Sequence, residues 1–206
     1  MGKVIERVSL FLLLSSMAQA NFIINPSFES GSSSWKLTGN LAVEPWADCD
    51  LPNLADNNPD GDFGIALYGW INGGNGVLSQ DISGASVHTG TVYVLSGSFH
   101  REPGFDPTFY ELAIEWLDSG SNVIGRASNN LIGKGTAGVT PTSPLEWSIF
   151  NVTGTAPVGT TSIRTMVAFS GTSDVGGLQA ARIDNVSLRF LTDDFTYSTN
   201  SGGKLT

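Results

Sequence analysis

Cysteine is almost absent from this chain of 206 residues, in which Cys49 is the only one. A lone cysteine excludes a disulfide within the chain, so the core must be held by side-chain packing, with or without a metal ion. Histidine is nearly as scarce, and neither His88 nor His100 is close to Cys49 in the sequence. The sequence therefore offers few residues for general acid–base catalysis and carries no Cys–His signature of a nucleophilic enzyme.

Basic residues are also few. Ten Lys and Arg stand against 19 Asp and Glu, which gives a formal net charge of -9. A chain this acidic is poorly suited to bind nucleic acid or to enter an anionic membrane surface, because its overall field repels phosphate. It suits a neutral or cationic ligand or bound cations, although acidity is equally typical of a soluble protein surface.

Long hydrophobic runs are missing as well. The apolar run from Val8 to Met17 is too short to span a bilayer. It follows Lys3 and Arg7 and precedes Ala18-Gln19-Ala20, the order of a positive region, an apolar region and a small-residue cleavage site. We predict that residues 1–20 are a secretory signal peptide and that the protein is extracellular or periplasmic. The alternative is an uncleaved N-terminal anchor.

A sustained helical period is absent from the rest of the chain, which consists of short apolar segments separated by Gly-rich turn signals. This pattern predicts an all-β sandwich or jelly roll of two antiparallel sheets over residues 21–191, followed by a flexible Ser/Gly-rich tail at 192–206. The predicted strands are Leu41–Val43, Ile65–Tyr68, Gly76–Ile82, Thr91–Phe99, Phe109–Leu117, Val123–Ile124, Trp147–Thr153, Ser162–Phe169 and Arg182–Phe190.

Three of these segments alternate in a way that gives each strand one apolar face and one mixed face. In Phe109–Leu117, for example, Leu112, Ile114 and Trp116 share a face, and Glu111 lies on the other. We expect the mixed faces to form a surface that a ligand can use.

The two ends of the domain are predicted to meet. A short apolar strand, Phe22–Ile24, opens the segment NFIINPSFESGSSSW, and Ala181–Leu188 is a second strand near the far end. If these strands pair, Glu29 and Asp184 come together at one edge of a sheet and form an acidic site.

Six motifs in this order resemble secreted carbohydrate-binding modules of families 4, 9, 16 and 22, which have a galactose-binding-domain-like jelly-roll fold. The matching residues are Asn25, Phe28, Glu29, Gly31 and Trp35; Gly64, Leu67, Ser79 and Gln80; Tyr93, Leu95 and Ser96; Trp116, Asp118 and Gly120; Trp147, Thr153, Thr155, Ala156 and Pro157; and Asp184, Asn185, Val186, Ser187 and Leu188. The resemblance implies the fold more strongly than it implies a ligand, because one fold hosts many functions.

The resemblance also implies a structural calcium ion near the paired terminal strands, with Glu29 and Asp184 among its ligands. Calcium takes six to eight oxygen ligands, which two carboxylates and backbone carbonyls can supply. Asp60 and Asp62 lie in an acidic stretch that is not an EF-hand, and they are further candidates. The alternatives are that Glu29 caps a turn, that Asp184 pairs with a nearby arginine, and that the acidic stretch is a solvated loop.

Sugar binding needs aromatic rings for the apolar face of the sugar and polar side chains for its hydroxyls. We expect Trp35, Trp116 and Trp147 to belong to the core, because they lie on apolar strand faces or at positions that the resemblance places in the core. The candidate sugar-binding residues are the aromatic residues Trp46, Tyr68 and Trp70 and the polar residues His100, Arg101, Glu111 and Arg164.

The sequence thus predicts a non-catalytic carbohydrate-binding domain whose partner is a polysaccharide or glycan. Glu111 and Glu115 lie on one strand face, but their α-carbons would be about 13 Å apart, a poor fit to the carboxyl pair of a glycosidase. The alternative is an extracellular structural or adhesion protein that uses the same sandwich to contact protein or matrix. The oligomeric state stays open.

Overall fold

The computed structural model describes residues 20–47, 61–135, 138 and 147–191. Its strands form two five-stranded antiparallel sheets, sheet A with the order β1-β4-β9-β6-β7 and sheet B with the order β2-β3-β10-β5-β8. The strands are β1 (Lys36–Gly39), β2 (Leu41–Glu44), β3 (Gly64–Tyr68), β4 (Asn75–Ser83), β5 (Val92–Arg101), β6 (Phe109–Leu117), β7 (Val123–Asn130), β8 (Ser148–Thr155), β9 (Ser162–Ser170) and β10 (Ala180–Phe190).

Two single-turn 3-10 helices, Pro45–Ala47 and Gly84–Ser86, complete the described elements. Over the part of the chain that the structure describes, no helix is long and apolar enough to cross a membrane. The predicted all-β sandwich is confirmed. Cys49 and nearly all of the predicted signal peptide and tail lie outside the described residues.

The nine strands predicted between Leu41 and Phe190 are present, and β6 has the predicted ends, but the predicted strand Phe22–Ile24 is not formed. Strand β1 was not predicted, because it is only four residues long and Leu37 is its one apolar side chain. Strand β7 was predicted only at Val123–Ile124 but continues to Asn130. The rest of the strand was not predicted because its side chains are small or polar. Both strands lie at the edges of sheet A, where little apolar surface is needed.

The core lies between the two sheets and is made by the apolar faces that the alternation predicts. Removing such side chains from water stabilises the fold by about 25 cal/mol per Å² of apolar surface. The buried residues include Tyr93, Leu95 and Phe99 from β5, Leu112, Ile114 and Trp116 from β6, and Ile163, Val167 and Phe169 from β9. Trp35 and Trp116 are buried as predicted, and Trp147 is partly buried.

The N-terminal segment runs alongside β10, although it is not a regular strand. The Phe22 amide donates to the Leu188 carbonyl at 2.9 Å, and the Val186 amide donates to the Pro26 carbonyl at 3.0 Å. Between them, the Asn21 side chain takes the place of a backbone partner, donating to the Val186 carbonyl and accepting from the Leu188 amide, each at 3.0 Å. The predicted contact between the N-terminal segment and β10 is confirmed, and the meeting of Glu29 with Asp184 stays a prediction. Strand β10 also has a β-bulge between Asp184 and Ser187 in its ladder with β5.

Candidate functional site

A row of charged side chains crosses the outer face of sheet A. Asp81 of β4 lies opposite Arg164 of β9, which lies opposite Glu115 of β6, which lies opposite Arg126 of β7. Directly opposed residues in antiparallel strands bring their side chains within reach of one another. We call these four residues, together with Glu111 of β6, the charged row.

Hydrogen bonds and ion pairs connect the charged row from end to end. Arg164 donates to both Asp81 carboxylate oxygens, at 2.7 and 3.0 Å, and lies 3.7 Å from Glu115. Arg126 donates to Glu115 at 3.4 Å and also to Glu111. The hydrogen bonds that Arg164 donates to Asp81 raise the pKa of Arg164, and the one that Arg126 donates to Glu111 raises the pKa of Arg126. Both guanidinium groups are therefore held charged and fixed in orientation.

A groove lies beside the charged row, over β1, β4 and β9. Its volume is about 550 Å³, within the range of ligand sites in proteins. It is lined by Ser34, Trp35, Lys36, Thr38, Val77, Ser79, Gln80, Asp81, Arg164 and Met166. An adjoining cavity of about 540 Å³ shares Ser34, Gln80 and Asp81 with it and extends along β4 toward Ser86.

The opening segment of the domain builds the wall of this groove. The Trp35 indole nitrogen donates to the Asn25 carbonyl at 2.9 Å, and the ring packs against Phe28 with centroids 5.2 Å apart. Asn25 also accepts from the Ser30 amide and donates to the Gly31 carbonyl, which closes the turn that leads into Trp35. The opening motif of the sequence thus folds into a hydrogen-bonded turn that places Ser34 and Trp35 at the groove.

Small side chains cover the centre of the same face. Ala113 and Ala168 are buried there, and Met166 is partly buried between the groove and β6. At one end of the face, Phe109 is 42% exposed and lies opposite Ser170. An open aromatic ring on this face was not predicted.

Two of the predicted sugar-binding residues, Tyr68 and Trp70, are in direct contact at the end of β3. Their ring centroids are 4.6 Å apart with an interplanar angle of 31°, and Trp70 is 42% exposed. The Tyr68 hydroxyl donates to Glu44 at 2.7 Å. Burial, and then this hydrogen bond, raise the pKa of Tyr68 to about 12. Trp46 lies in the 3-10 turn after β2, and its side chain is outside the described residues.

The predicted polar residues fall into two groups. Glu111 and Arg164 belong to the charged row on sheet A. His100 and Arg101 end β5 on sheet B, where His100 is only 1% exposed and its ring lies 5.9 Å from that of Trp147. His100 is therefore enclosed, and a ligand could reach it only if its cover moved.

The predicted calcium ligands are engaged in other contacts where the structure describes them. Glu29 accepts from the Phe63 amide at 2.8 Å, beside the exposed Asp62. Asp184 is fully buried in sheet B and accepts from the Asn185 amide at 2.7 Å. Among the described residues no three His, Cys, Asp or Glu side chains form a metal-binding group. Asp60 lies outside the described residues. The described candidates alone do not form a calcium site, so calcium binding stays a prediction.

Three residues of the charged row and groove were missed as site residues: Lys36, Asp81 and Arg126. Arg126 was missed because β7 was predicted too short. Extending the alternation along β7 would have placed it on the outer face. Asp81 and Lys36 join the site only through the pairing of β1, β4 and β9, which one sequence does not reveal.

Comparisons by sequence give no relative: no protein-family model matches the chain, and no curated protein matches it. Solved structures do match. The CBM22-1 xylan-binding domain of Paenibacillus barcinonensis Xyn10C aligns with a TM-score of 0.50 and 13% identity, over 85% of this chain and 97% of that one. A CBM61 module in complex with β-1,4-galactotriose aligns with a TM-score of 0.50 and 22% identity, over 83% and 99%.

A larger protein matches as well. The enzymatically active domain of tailspike protein 4 of bacteriophage CBA120 aligns with a TM-score of 0.59 and 16% identity over 83% of this chain. This chain spans 21% of that one. At such identities the matches establish the fold. The chain therefore has the β-sandwich fold of carbohydrate-binding modules, as the sequence motifs predicted.

Proposed function

We propose that this protein binds a polysaccharide or other glycan on the outer face of sheet A and catalyses no reaction on it. The observation that carries the proposal is the groove of about 550 Å³ beside the charged row. The carbohydrate-binding modules that share the fold give it further support.

The chemistry of this face suits a sugar chain. Carboxylate and guanidinium groups that are already held in place can accept from and donate to sugar hydroxyls without first losing rotamer freedom. Asp81 and Arg164 provide such a fixed pair at the groove wall. Phe109 offers an open ring at the end of the face for stacking on the apolar side of a sugar.

The geometry of the two glutamates supports binding without catalysis. A glycosidase needs two carboxyl groups with the scissile bond, or that bond and a water, between them. Arg126 donates to both Glu111 and Glu115, so its guanidinium bridges the two carboxylates. The Arg126 side chain therefore fills the space between the two carboxyl groups that a substrate would have to occupy.

A second candidate function is structural or adhesive, with the same face contacting protein or matrix. The observation that favours it is the aliphatic centre of the face, where Met166 stays partly open to solvent beside the buried Ala113 and Ala168. No aromatic ring occupies the cross-strand row Ser79–Met166–Ala113–Ser128.

The test is a binding screen of the full chain against immobilised xylan, β-1,4-galactan, arabinan and cellulose. We expect retention on at least one, weakened about tenfold or more in Arg164→Ala. Arg189→Ala is the matched control, because Arg189 is exposed on the outer face of sheet B. Melting curves show whether each variant folds. If no glycan retains the protein, or if both variants bind equally well, this site is wrong.

We also infer that the protein is secreted and holds calcium, with Glu29 as one ligand, on the strength of the N-terminal pattern and the family resemblance. Glu29→Gln keeps an oxygen that can accept from the Phe63 amide but removes the charge. We expect a chelator to lower the melting temperature of the parent and to have little effect on this variant. Equal melting with and without chelator in the parent would contradict the calcium proposal.

A further inference from the structure

We propose that the aromatic pair Tyr68–Trp70 is a second glycan-binding site, separate from the groove on sheet A. We call it the aromatic platform. Its ligand is a sugar residue that lays the apolar face of its ring on Trp70 and directs a hydroxyl toward Glu44. This extends the proposed function to a protein that holds two sugar chains at once, and it does not require the groove to be occupied.

The two rings pack against each other at the end of β3. Successive residues in a strand point to opposite sides of the sheet. Leu67, the residue before Tyr68, is buried in the core. Tyr68 therefore faces outward from sheet B, and Trp70 lies against it with ring centroids 4.6 Å apart. With centroids this close and an interplanar angle of 31°, the two rings are stacked with a tilt, so Tyr68 covers part of Trp70 and the rest of Trp70 is the open aromatic surface. Such a surface presents aromatic area for stacking on a sugar ring.

The backbone under the platform is fixed by a neighbouring loop. The Gly69 amide donates to the Gln179 carbonyl at 2.7 Å, and a Cβ at Gly69 would lie 2.1 Å from that oxygen, so only glycine allows this approach. Beyond Trp70, the Thr172 hydroxyl donates to the Ile71 carbonyl at 2.7 Å. A ring carried on a braced loop loses little freedom when a ligand binds.

A carboxylate borders the platform. One oxygen of Glu44 accepts from the Tyr68 hydroxyl, which fixes the carboxylate beside the rings. Its other oxygen has no hydrogen-bond donor among the residues that the structure describes. An apolar protein surface would leave that carboxylate oxygen unsatisfied, whereas a sugar supplies hydroxyl donors next to an apolar ring face. The platform therefore fits a sugar better than an apolar protein partner.

The position of the platform makes it independent of the groove. The groove lies on the outer face of sheet A, and the platform lies at the end of β3 on the outer side of sheet B. The two sheets of a sandwich are about 10 Å apart, with side chains on both outer faces. Two separate chains can therefore be bound, and the protein can cross-link a soluble polysaccharide.

The experiment measures affinity and cross-linking separately, with soluble xylan, β-1,4-galactan and hydroxyethyl cellulose as probes. Affinity electrophoresis of the full chain gives binding, and light scattering of protein–polysaccharide mixtures gives cross-linking. The variants are Trp70→Ala, Arg164→Ala and the double variant. Val158→Ala is the control for loss of an exposed apolar side chain, because Val158 is 89% exposed. Trp70→Tyr keeps an aromatic ring.

We expect Trp70→Ala to abolish cross-linking and to weaken binding about tenfold for at least one probe, with Trp70→Tyr restoring most of it. A tenfold loss corresponds to about 1.4 kcal/mol. The double variant should lose binding altogether, and Val158→Ala should match the parent. Unchanged affinity and scattering in Trp70→Ala, with normal melting, overturn the platform.

The two sites fail in different ways. If Arg164→Ala abolishes all binding and Trp70→Ala has no effect, the platform is wrong and the groove stands. If Trp70→Ala abolishes all binding and Arg164→Ala has no effect, the groove is not a binding site and the platform binds alone. That result overturns the proposal of two sites. If no probe binds the parent, both are wrong.

Discussion

The outer faces of the two sheets carry similar charged side chains in different surroundings. On sheet A, the Arg164–Asp81 pair remains open to solvent, with its side chains 31% and 53% exposed. On sheet B, Arg182 of β10 lies 2.7 Å from Glu102, the residue that follows β5, and each side chain is only 4% exposed. Strand alternation directs charges outward on both sheets, and what covers a face decides whether they can meet a ligand.

The covered pair is tied into the backbone of sheet B. Glu102 accepts from Arg182 with one carboxylate oxygen and from the Ala180 amide, at 2.6 Å, with the other. Burial lowers the pKa of Arg182, and Glu102 partly offsets that effect. A buried ion pair is costly to assemble and costly to break on one side. We therefore assign Glu102 and Arg182 to stability, whereas the charged row of sheet A is the part that we propose for glycan binding.

The largest effect is expected from breaking the covered pair. Glu102→Gln removes the negative charge of Glu102 from its buried pair with Arg182 and should lower the free energy of unfolding by about 3 kcal/mol. Asp81→Asn breaks an exposed pair and should cost less than about 1 kcal/mol. Urea denaturation of the two variants and the parent measures both. Equal losses would mean that the two faces do not differ as described.

An intermediate effect is expected from Arg126→Met in the charged row. The side chains of Glu111 and Glu115 are 8% and 14% exposed, so they are less open than Asp81. Losing their shared donor should cost about 1–2 kcal/mol in the same urea experiment, with Arg189→Met as the control. A loss as large as that of Glu102→Gln would show that this end of the row is structural as well.

At the open end of sheet B, Tyr68 should titrate near pH 12. Because its pKa is raised from 10.0 on folding, the stabilisation is complete below pH 10.0 and is lost as the pH rises toward 12. Glu44→Gln should lower this pKa only in part, since burial is the larger cause. Near-ultraviolet absorbance of the phenolate measures it, with Tyr68→Phe identifying the signal. An unchanged titration in Glu44→Gln would contradict the role of the carboxylate.

The smallest effect is expected at the β6–β7 turn, which belongs to neither face. Hydrogen bonds from Asn122, and also from the Gly120 amide, lower the pKa of Asp118 below its ordinary 3.8. Its stabilisation is therefore present above pH 3.8 and is lost as the pH falls through the lower folded value. Melting curves below pH 4 should be slightly less pH-dependent in Asp118→Asn. A steeper dependence in the variant would contradict this.

Much of the fold could be predicted from the sequence because the sandwich is built from strands with a period of two. The apolar face of β6 follows directly from Leu112, Ile114 and Trp116. Edge strands were harder, since β1 and most of β7 bury little apolar surface and leave a weak pattern. Only parts of the candidate sites were predicted. They are Tyr68 and Trp70, which are two residues apart in the sequence, and single members of the charged row.

The sequence by itself determined the all-β class, the apolar faces and the polar residues available for a site. Only the tertiary structure decided that Arg164 stays open at a groove while His100, also on an outward face, is enclosed. The physical reason is that alternation fixes the side to which a side chain points, whereas burial and partners depend on strand order and on the loops that cover each face. Those contacts join residues far apart in the chain, such as Asp81 and Arg164, and no local pattern encodes them.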